Sequence, residues 1–226
     1  MNAQASKAKA PFSEVAYNEL RRRILENEMP AGFQATEQEV AELLNMSRTP
    51  TREALVRLSN EGLVQIRPRH GMRVLPVSAD DMREIYDILT SLESTAAGLV
   101  AERGLKPDEM DELERAVNDM DQALDDDDLA AWAEADQRFH QLLVDYSRNA
   151  RLRAVVDTYL SQAHRARVIT LKLRPKPSQS NADHAAVVTA IKARDVEAAR
   201  RTHRAHRENA GRMLVGILED MGFTHL

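Results

Sequence analysis

The chain has 226 residues, 43% of them hydrophobic and 30% charged, with 36 acidic against 31 basic side chains and a formal net charge of −5. That length and composition suit one or two globular domains and exclude disordered, collagen-like and coiled-coil-only chains. There is no cysteine, which excludes disulfides, thiolate zinc sites and cysteine nucleophiles. No apolar run approaches the roughly 20 residues of a membrane span. The lysines before Pro11 are not followed by an apolar stretch, so no secretory signal is expected and the cytoplasm is the expected location.

The acidic total argues against a nucleic-acid partner only if the charge is evenly spread. It is not. Residues 1–77 carry 11 basic and 9 acidic side chains, leaving 20 of the 31 basic and 27 of the 36 acidic residues for 78–226. The first part is therefore +2 and the second −7. Between Arg48 and Arg73 six arginines face only Glu53 and Glu61. Such asymmetry points to two domains with different partners.

In chain order, residues 1–11 read as a flexible N-terminus. A first helix is predicted from Phe12 to about Asn27, with Tyr17, Leu20 and Ile24 on one face, and Met29-Pro30-Ala31-Gly32 breaks it. Thr36 followed by Glu39 has the form of a capping box, opening a short helix through Val40, Leu43 and Leu44. After a turn at Asn45-Met46, Ser47 is placed to cap the next helix, and Pro50 is tolerated in its first turn. Ala54, Leu55 and Leu58 form that helix's inner face and Gly62 ends it. Leu63 to Leu75 reads as a two-stranded hairpin around Pro68-Arg69-His70-Gly71.

After Pro76 the pattern is helical throughout. A second cap at Ser78 opens a helix to about Arg103, a second runs from Pro107 to the acidic stretch Asp125–Asp128, and four more follow at about 129–146, 150–173, 179–193 and 196–221. Short connections, including the breaker Arg174-Pro175-Lys176-Pro177, imply an antiparallel six-helix bundle. The acidic stretch reads as a solvated helix end. The predicted organisation is mainly α: a winged helix-turn-helix over 12–76, then a helical domain over 77–226.

In a winged helix-turn-helix the second helix of the pair enters the major groove and presents its N-terminal side chains to base edges. Arg48 and Arg52, four residues apart, share one face there, and arginine grips guanine bidentately. Ser47, Thr49 and Thr51 suit phosphate contacts at a helix N-terminus. Arg67, Arg69, His70 and Arg73 cluster on the hairpin, where a wing can follow the minor groove.

The stretch Glu39-Val40-Ala41-Glu42-Leu43-Leu44, with Met46-Ser47-Arg48-Thr49-Pro50-Thr51-Arg52-Glu53-Ala54-Leu55, Arg57-Leu58, Glu61-Gly62-Leu63-Val64 and His70-Gly71, closely resembles the GntR family of bacterial transcription regulators. By that resemblance Arg48 and Arg52 are base-reading arginines, Thr49 a phosphate contact, and His70 and Gly71 the wing tip. Gln38 departs from it: some relatives carry another DNA-contacting arginine there, so their operators cannot be borrowed.

In the bundle, Asp136 and His140 share a helix face with Leu143. His184 falls with Val187, Val188 and Ile191, and His206 lies on a stripe with Ala199, His203 and Ala210. Inward-facing histidine and aspartate are costly unless paired or metal-bound. Three imidazoles and a carboxylate suit Zn, Ni, Mn or Fe, while for any single inward histidine a satisfied core residue is the commoner case. Asp136-Gln137-Arg138-Phe139-His140, Asp183-His184, the Arg194-Asp195 turn and His206 look like the ligand-binding FCD domain of the FadR-type GntR regulators. The resemblance implies a divalent ion held by Asp136, His140, His184 and His206, coordinating a small carboxylate effector. His203 is the nearest rival to His206. Relatives often place an effector-binding arginine near Leu89 and Thr90; Arg165 and Arg167 are the candidate substitutes, with Thr90 and His203 as further pocket residues.

The implied protein is a homodimeric, effector-responsive repressor on a near-palindromic double-stranded operator, with no membrane partner and no catalytic residues. Two alternatives stay open. A dedicated metal sensor would need no organic ligand. A metalloenzyme would use the ion to activate water, though no separate base or nucleophile stands nearby.

Overall fold

The structure, a computed structural model, describes residues 11–68 and 70–223. The chain divides into two compact units, one ending at Pro76 and the other beginning at Val77.

In the first unit α1 (Phe12–Leu25) is followed by β1 (Gln34–Ala35), α2 (Glu37–Leu43), α3 (Arg48–Asn60), β2 (Val64–Arg67) and β3 (Gly71–Val74). The capping box at α2 forms reciprocally: Glu39 N–H donates to Thr36 Oγ1 at 3.2 Å and Thr36 N–H to Glu39 Oε2 at 2.7 Å. Asn45, at φ 51°, makes the turn into α3, a conformation asparagine tolerates. Ser47 is the N-cap residue of α3 but makes no side-chain cap bond among the described residues. Ala16, Leu20, Ile24, Val40, Leu55 and Leu58 close the core from the helices, with Met72 and Val74 from the sheet.

The hairpin pairs Ile66 with Met72 and Arg67 with Gly71. A third strand, β1, adds to β3 through Gln34–Arg73 and Ala35–Met72, giving the order β1-β3-β2. Two residues show no alternation, which is why β1 went unpredicted. Its approach determines residue 71: Gly71 has φ +80°, and a Cβ there would lie 2.1 Å from the Ala35 carbonyl oxygen. Only glycine meets both demands.

Among the described residues the second unit has six helices: α4 (Ala79–Arg103), α5 (Pro107–Asp125), α6 (Leu129–Tyr146), α7 (Ala150–Thr170), α8 (Ser178–Lys192) and α9 (Val196–Asp220). A 3-10 turn, Leu171–Leu173, ends α7. Ser78 caps α4, accepting from Asp81 N–H at 3.1 Å. Asp128 ends the acidic stretch by capping α6, its Oδ1 accepting from Ala130 and Ala131 N–H, both at 3.0 Å. The two 25-residue helices, α4 and α9, pack along each other, and Gly211 admits the Tyr86 ring where a Cβ would meet it at 2.9 Å.

Two apolar clusters fill the bundle. One gathers Leu113, Met120, Trp132, Phe139, Val187 and Ile191; the other Met82, Leu89, Val156, Leu160, Leu214 and Leu218. Charged and polar residues fall between their members along the helices. On α4, Glu93 separates Leu89 of one cluster from Ala97 of the other. Among the described residues no helix is long and apolar enough to cross a membrane.

Candidate functional site

On α3, Ser47, Arg48, Thr49 and Arg52 are exposed, as is His70 at the hairpin turn. The arginine side chains are 69% and 73% accessible, and Glu37 from the first turn of α2 stands 3.8 Å from both. Exposed pairs of this length are weak, so Glu37 leaves both guanidinium groups accessible. Thr51 is corrected. It is fully buried, and its hydroxyl donates to the Ser47 carbonyl at 3.0 Å, so it cannot reach a phosphate. Gly71 offers a strand pairing and no side chain. Arg69 lies outside the described residues, as do residues 1–10 of the expected flexible N-terminus.

The bundle brings Asp136 and His140 from α6, His184 from α8 and His206 from α9 together, all buried, with one ligand atom from each within 4.8 Å of the others. His184 Nε2 and His140 Nε2 are 3.3 Å apart. Arg167 Nη1 donates to Asp136 Oδ2 at 2.7 Å, which leaves Oδ1 at 3.6 Å from His140 Nε2 and 3.7 Å from His184 Nε2. Donors bound at about 2.0–2.1 Å to a divalent ion lie roughly 2.8–3.4 Å apart for octahedral or tetrahedral angles. The spacings among Asp136, His140 and His184 therefore need only a few tenths of an ångström of contraction, and with His206 inside the same 4.8 Å group the residues fit a metal.

The rear of each ring is supported. His140 Nδ1 lies 2.8 Å from Glu93 Oε2, and His206 Nδ1 lies 3.6 Å from Asp183. Such carboxylate–imidazole contacts turn the other ring nitrogen toward a metal and raise its basicity. Glu93 is itself fully buried and grips the guanidinium of Arg207, which donates from Nε at 3.0 Å and from Nη2. His203 Nε2 faces Glu93 at 3.6 Å.

The protonation states suit the same chemistry. Burial pushes His184 and His203 well below the ordinary imidazole value, and lowers His206 against the opposing pull of Asp183. Burial would raise Asp136, but Arg167 and the neighbouring imidazoles hold its carboxyl well below the usual range. Neutral imidazoles and an ionised carboxylate are the metal-binding forms.

Beside the cluster is a cavity of about 180 Å³ whose wall includes Tyr86, Trp132, Arg167, Arg174, His206 and Met213. Arg167 thus lies where a pocket residue was expected. The other three expected pocket residues do not. Thr90 borders a different cavity between α4 and α9, buried Arg165 on α7 is absent from this wall, and His203 is turned to Glu93.

Residues 12–74 match the family of bacterial regulatory proteins named for gntR, and residues 84–209 match the FCD domain. The chain belongs to the GntR family and carries an FCD domain. This GntR regulator is 42% identical over 131 residues to an uncharacterised HTH-type transcriptional regulator in the TAR-I ttuE-ttuC' intergenic region of Agrobacterium vitis, an overlap of 57% of this chain and 77% of that one. It is 27% identical over 196 residues to the HTH-type transcriptional repressor RspR of Escherichia coli K12, covering 87% and 86%. Among solved structures, E. coli McbR/YncC superposes with a TM-score of 0.77 at 21% identity over 95% of this chain and 100% of that one, a likeness of fold. Families and relatives alike are DNA-binding transcription regulators, not enzymes, which removes the metalloenzyme alternative.

Sequence reasoning missed several residues of the regulator's two sites. Glu93 left a signal, a glutamate on the apolar face of Leu89, Ala96, Ala97 and Val100. Its partner Arg207 is 114 residues away, which no local pattern reveals. Arg174 reads in sequence only as part of a helix breaker, and Glu37 only as a helix-start residue.

Proposed function

We propose that this regulator is a homodimeric, metal-containing repressor whose operator affinity is set by a small carboxylate effector. The observation that supports it most is the buried group Asp136, His140, His184 and His206, whose ligand atoms converge within 4.8 Å beside a cavity bordered by arginines. A bound divalent ion supplies a Lewis-acid anchor for a carboxylate. Arg167 orients Asp136, Glu93 orients His140 and Asp183 orients His206. Arg48 and Arg52 read base edges, Ser47 and Thr49 contact phosphate, and the turn at His70 and Gly71 carries the wing.

Two such DNA-binding units in a two-fold dimer match a near-palindromic operator. The repressor sign agrees with the description of RspR, and a regulator that binds bacterial chromosomal DNA acts in the cytoplasm. Effector control requires differential affinity for the DNA-bound and released states. Fluorescence anisotropy on DNA upstream of its own and adjoining genes, run with Zn²⁺, with chelator and with small carboxylates, tests the reading. Carboxylate-driven release that needs bound metal is expected. Affinity that follows metal alone would make the protein a metal sensor, and affinity indifferent to both contradicts the proposal.

A further inference from the structure

We infer that the effector is a dianion, a short dicarboxylate, whose second acid group is held by Arg174 together with Arg167 and Tyr86. This rests on the reading that a carboxylate sits at the metal, and it names the part of the ligand that the metal does not reach.

Three residues bordering the cavity keep a buried donor that has no hydrogen-bond partner among the described residues: Arg167 at Nη2, Arg174 at Nε and Tyr86 at Oη. A buried polar group without a partner is unfavourable, and a ligand that supplies the partner removes the penalty. All three residues border the same cavity, and a planar anion is the acceptor that can serve two guanidinium nitrogens at once. The two arginines are adjacent, since Arg174 Nη2 donates to the Arg167 carbonyl at 3.1 Å. Arg174 also stands 5.7 Å from the centre of the Trp132 ring, which limits where its guanidinium can swing.

Charge gives the same answer. Arg167 is matched by Asp136, Arg207 by Glu93 and Lys176 by Asp127. Arg174 has no carboxylate partner among the described residues. With a divalent ion in place, the ion and Arg174 face Asp183 as the one remaining acid on the wall among the described residues. The surplus is two positive charges, which a monocarboxylate leaves half-neutralised. The volume of about 180 Å³ is below the several hundred Å³ of drug-sized sites and admits only a short chain.

Isothermal titration on the Zn²⁺-loaded full-length protein, with matched acid pairs, tests this. Succinate is compared with butyrate and malate with 2-hydroxybutyrate; each pair differs by one acid group replaced by methyl. At least one diacid is expected to bind ten times tighter than its partner or better. Arg174→Gln should reduce that ratio to about threefold or less while leaving metal content and monoacid affinity unchanged, and Arg174→Lys should restore part of it. Equal binding of diacid and monoacid, or a preference that survives Arg174→Gln, overturns the inference and leaves the metal-carboxylate reading standing. Failure of every acid to bind a chain that elemental analysis shows to be metal-loaded overturns both.

Discussion

Replacing Glu93 by glutamine separates the support of the metal site from the stability of the bundle. The carboxylate is fully buried, 2.8 Å from His140 Nδ1 and 3.6 Å from His203 Nε2, and bonded to an Arg207 that is 1% exposed. Burial alone would raise its pKa; Arg207 and His140 outweigh that and hold it ionised. Glutamine keeps the shape but turns an N–H₂ toward groups that are themselves donors. Loss of such an outer-sphere carboxylate typically weakens metal binding 10–100-fold, or about 1.4–2.8 kcal/mol at 1.4 kcal/mol per decade. Separately, a buried arginine left without its partner costs about 3–5 kcal/mol. Competition with a chelator of known affinity reads the first effect and urea unfolding of the metal-free protein the second. The double variant Glu93→Leu with Arg207→Met removes both buried charges and should recover most of the stability but not the metal affinity. Wild-type metal affinity in Glu93→Gln would refute the reasoning, as would a double variant that regains both.

Other expectations are simpler. Arg52→Ala should weaken operator binding by about 1–3 kcal/mol, the value of one bidentate base contact, read as a 5- to 150-fold rise in Kd in a shift assay with little change on non-specific DNA. Gly71→Ala places a methyl 2.1 Å from a backbone oxygen at φ +80°; a cost of about 1–3 kcal/mol should lower the melting temperature of the DNA-binding unit by roughly 4–8 °C per kcal/mol, while Gly32→Ala, with open space around it, should lose less. Tyr17 is pushed up to about 12 by burial and by its hydrogen bond to Glu61. Because the folded form keeps a proton that the unfolded form loses near pH 10, the stability this gives is present below pH 10 and lost as pH rises to about 12. Ultraviolet titration, with Tyr17→Phe for assignment, should find that late phenol, and a value near 10 would remove the effect.

The helices were legible because their signals are local. Thr36 with Glu39 and the spacing of Leu20 and Ile24 are decided within a few residues. The grouping of Asp136, His140, His184 and His206 was legible only through the resemblance to the FCD domain: spacing puts Asp136 and His140 one turn apart and His184 and His206 on apolar stripes, which marks inward faces but not a shared centre. Thr51 was misread although its signal was present. It precedes Leu55 and Leu58 by four and seven residues, on the buried face, and a hydroxyl there turns back to its own helix. The strand β1 and the Glu93–Arg207 pair were invisible for the opposite reason. Both exist only through partners far along the chain, Arg73 for Gln34 and Arg207 for Glu93. The cavity wall is likewise a product of packing: Arg174 matters because α7 ends where it does, against Trp132 and Arg167.

The central claim is that Asp136, His140, His184 and His206 hold a divalent ion. Elemental analysis of purified full-length protein and of His184→Ala tests it most directly. About one Zn, Ni, Mn or Fe per chain is expected in the wild type, with loss of most of it in the variant while circular dichroism stays helical. Equal metal content in the two proteins, or a wild type that takes up no ion on incubation with any of the four, would contradict the account.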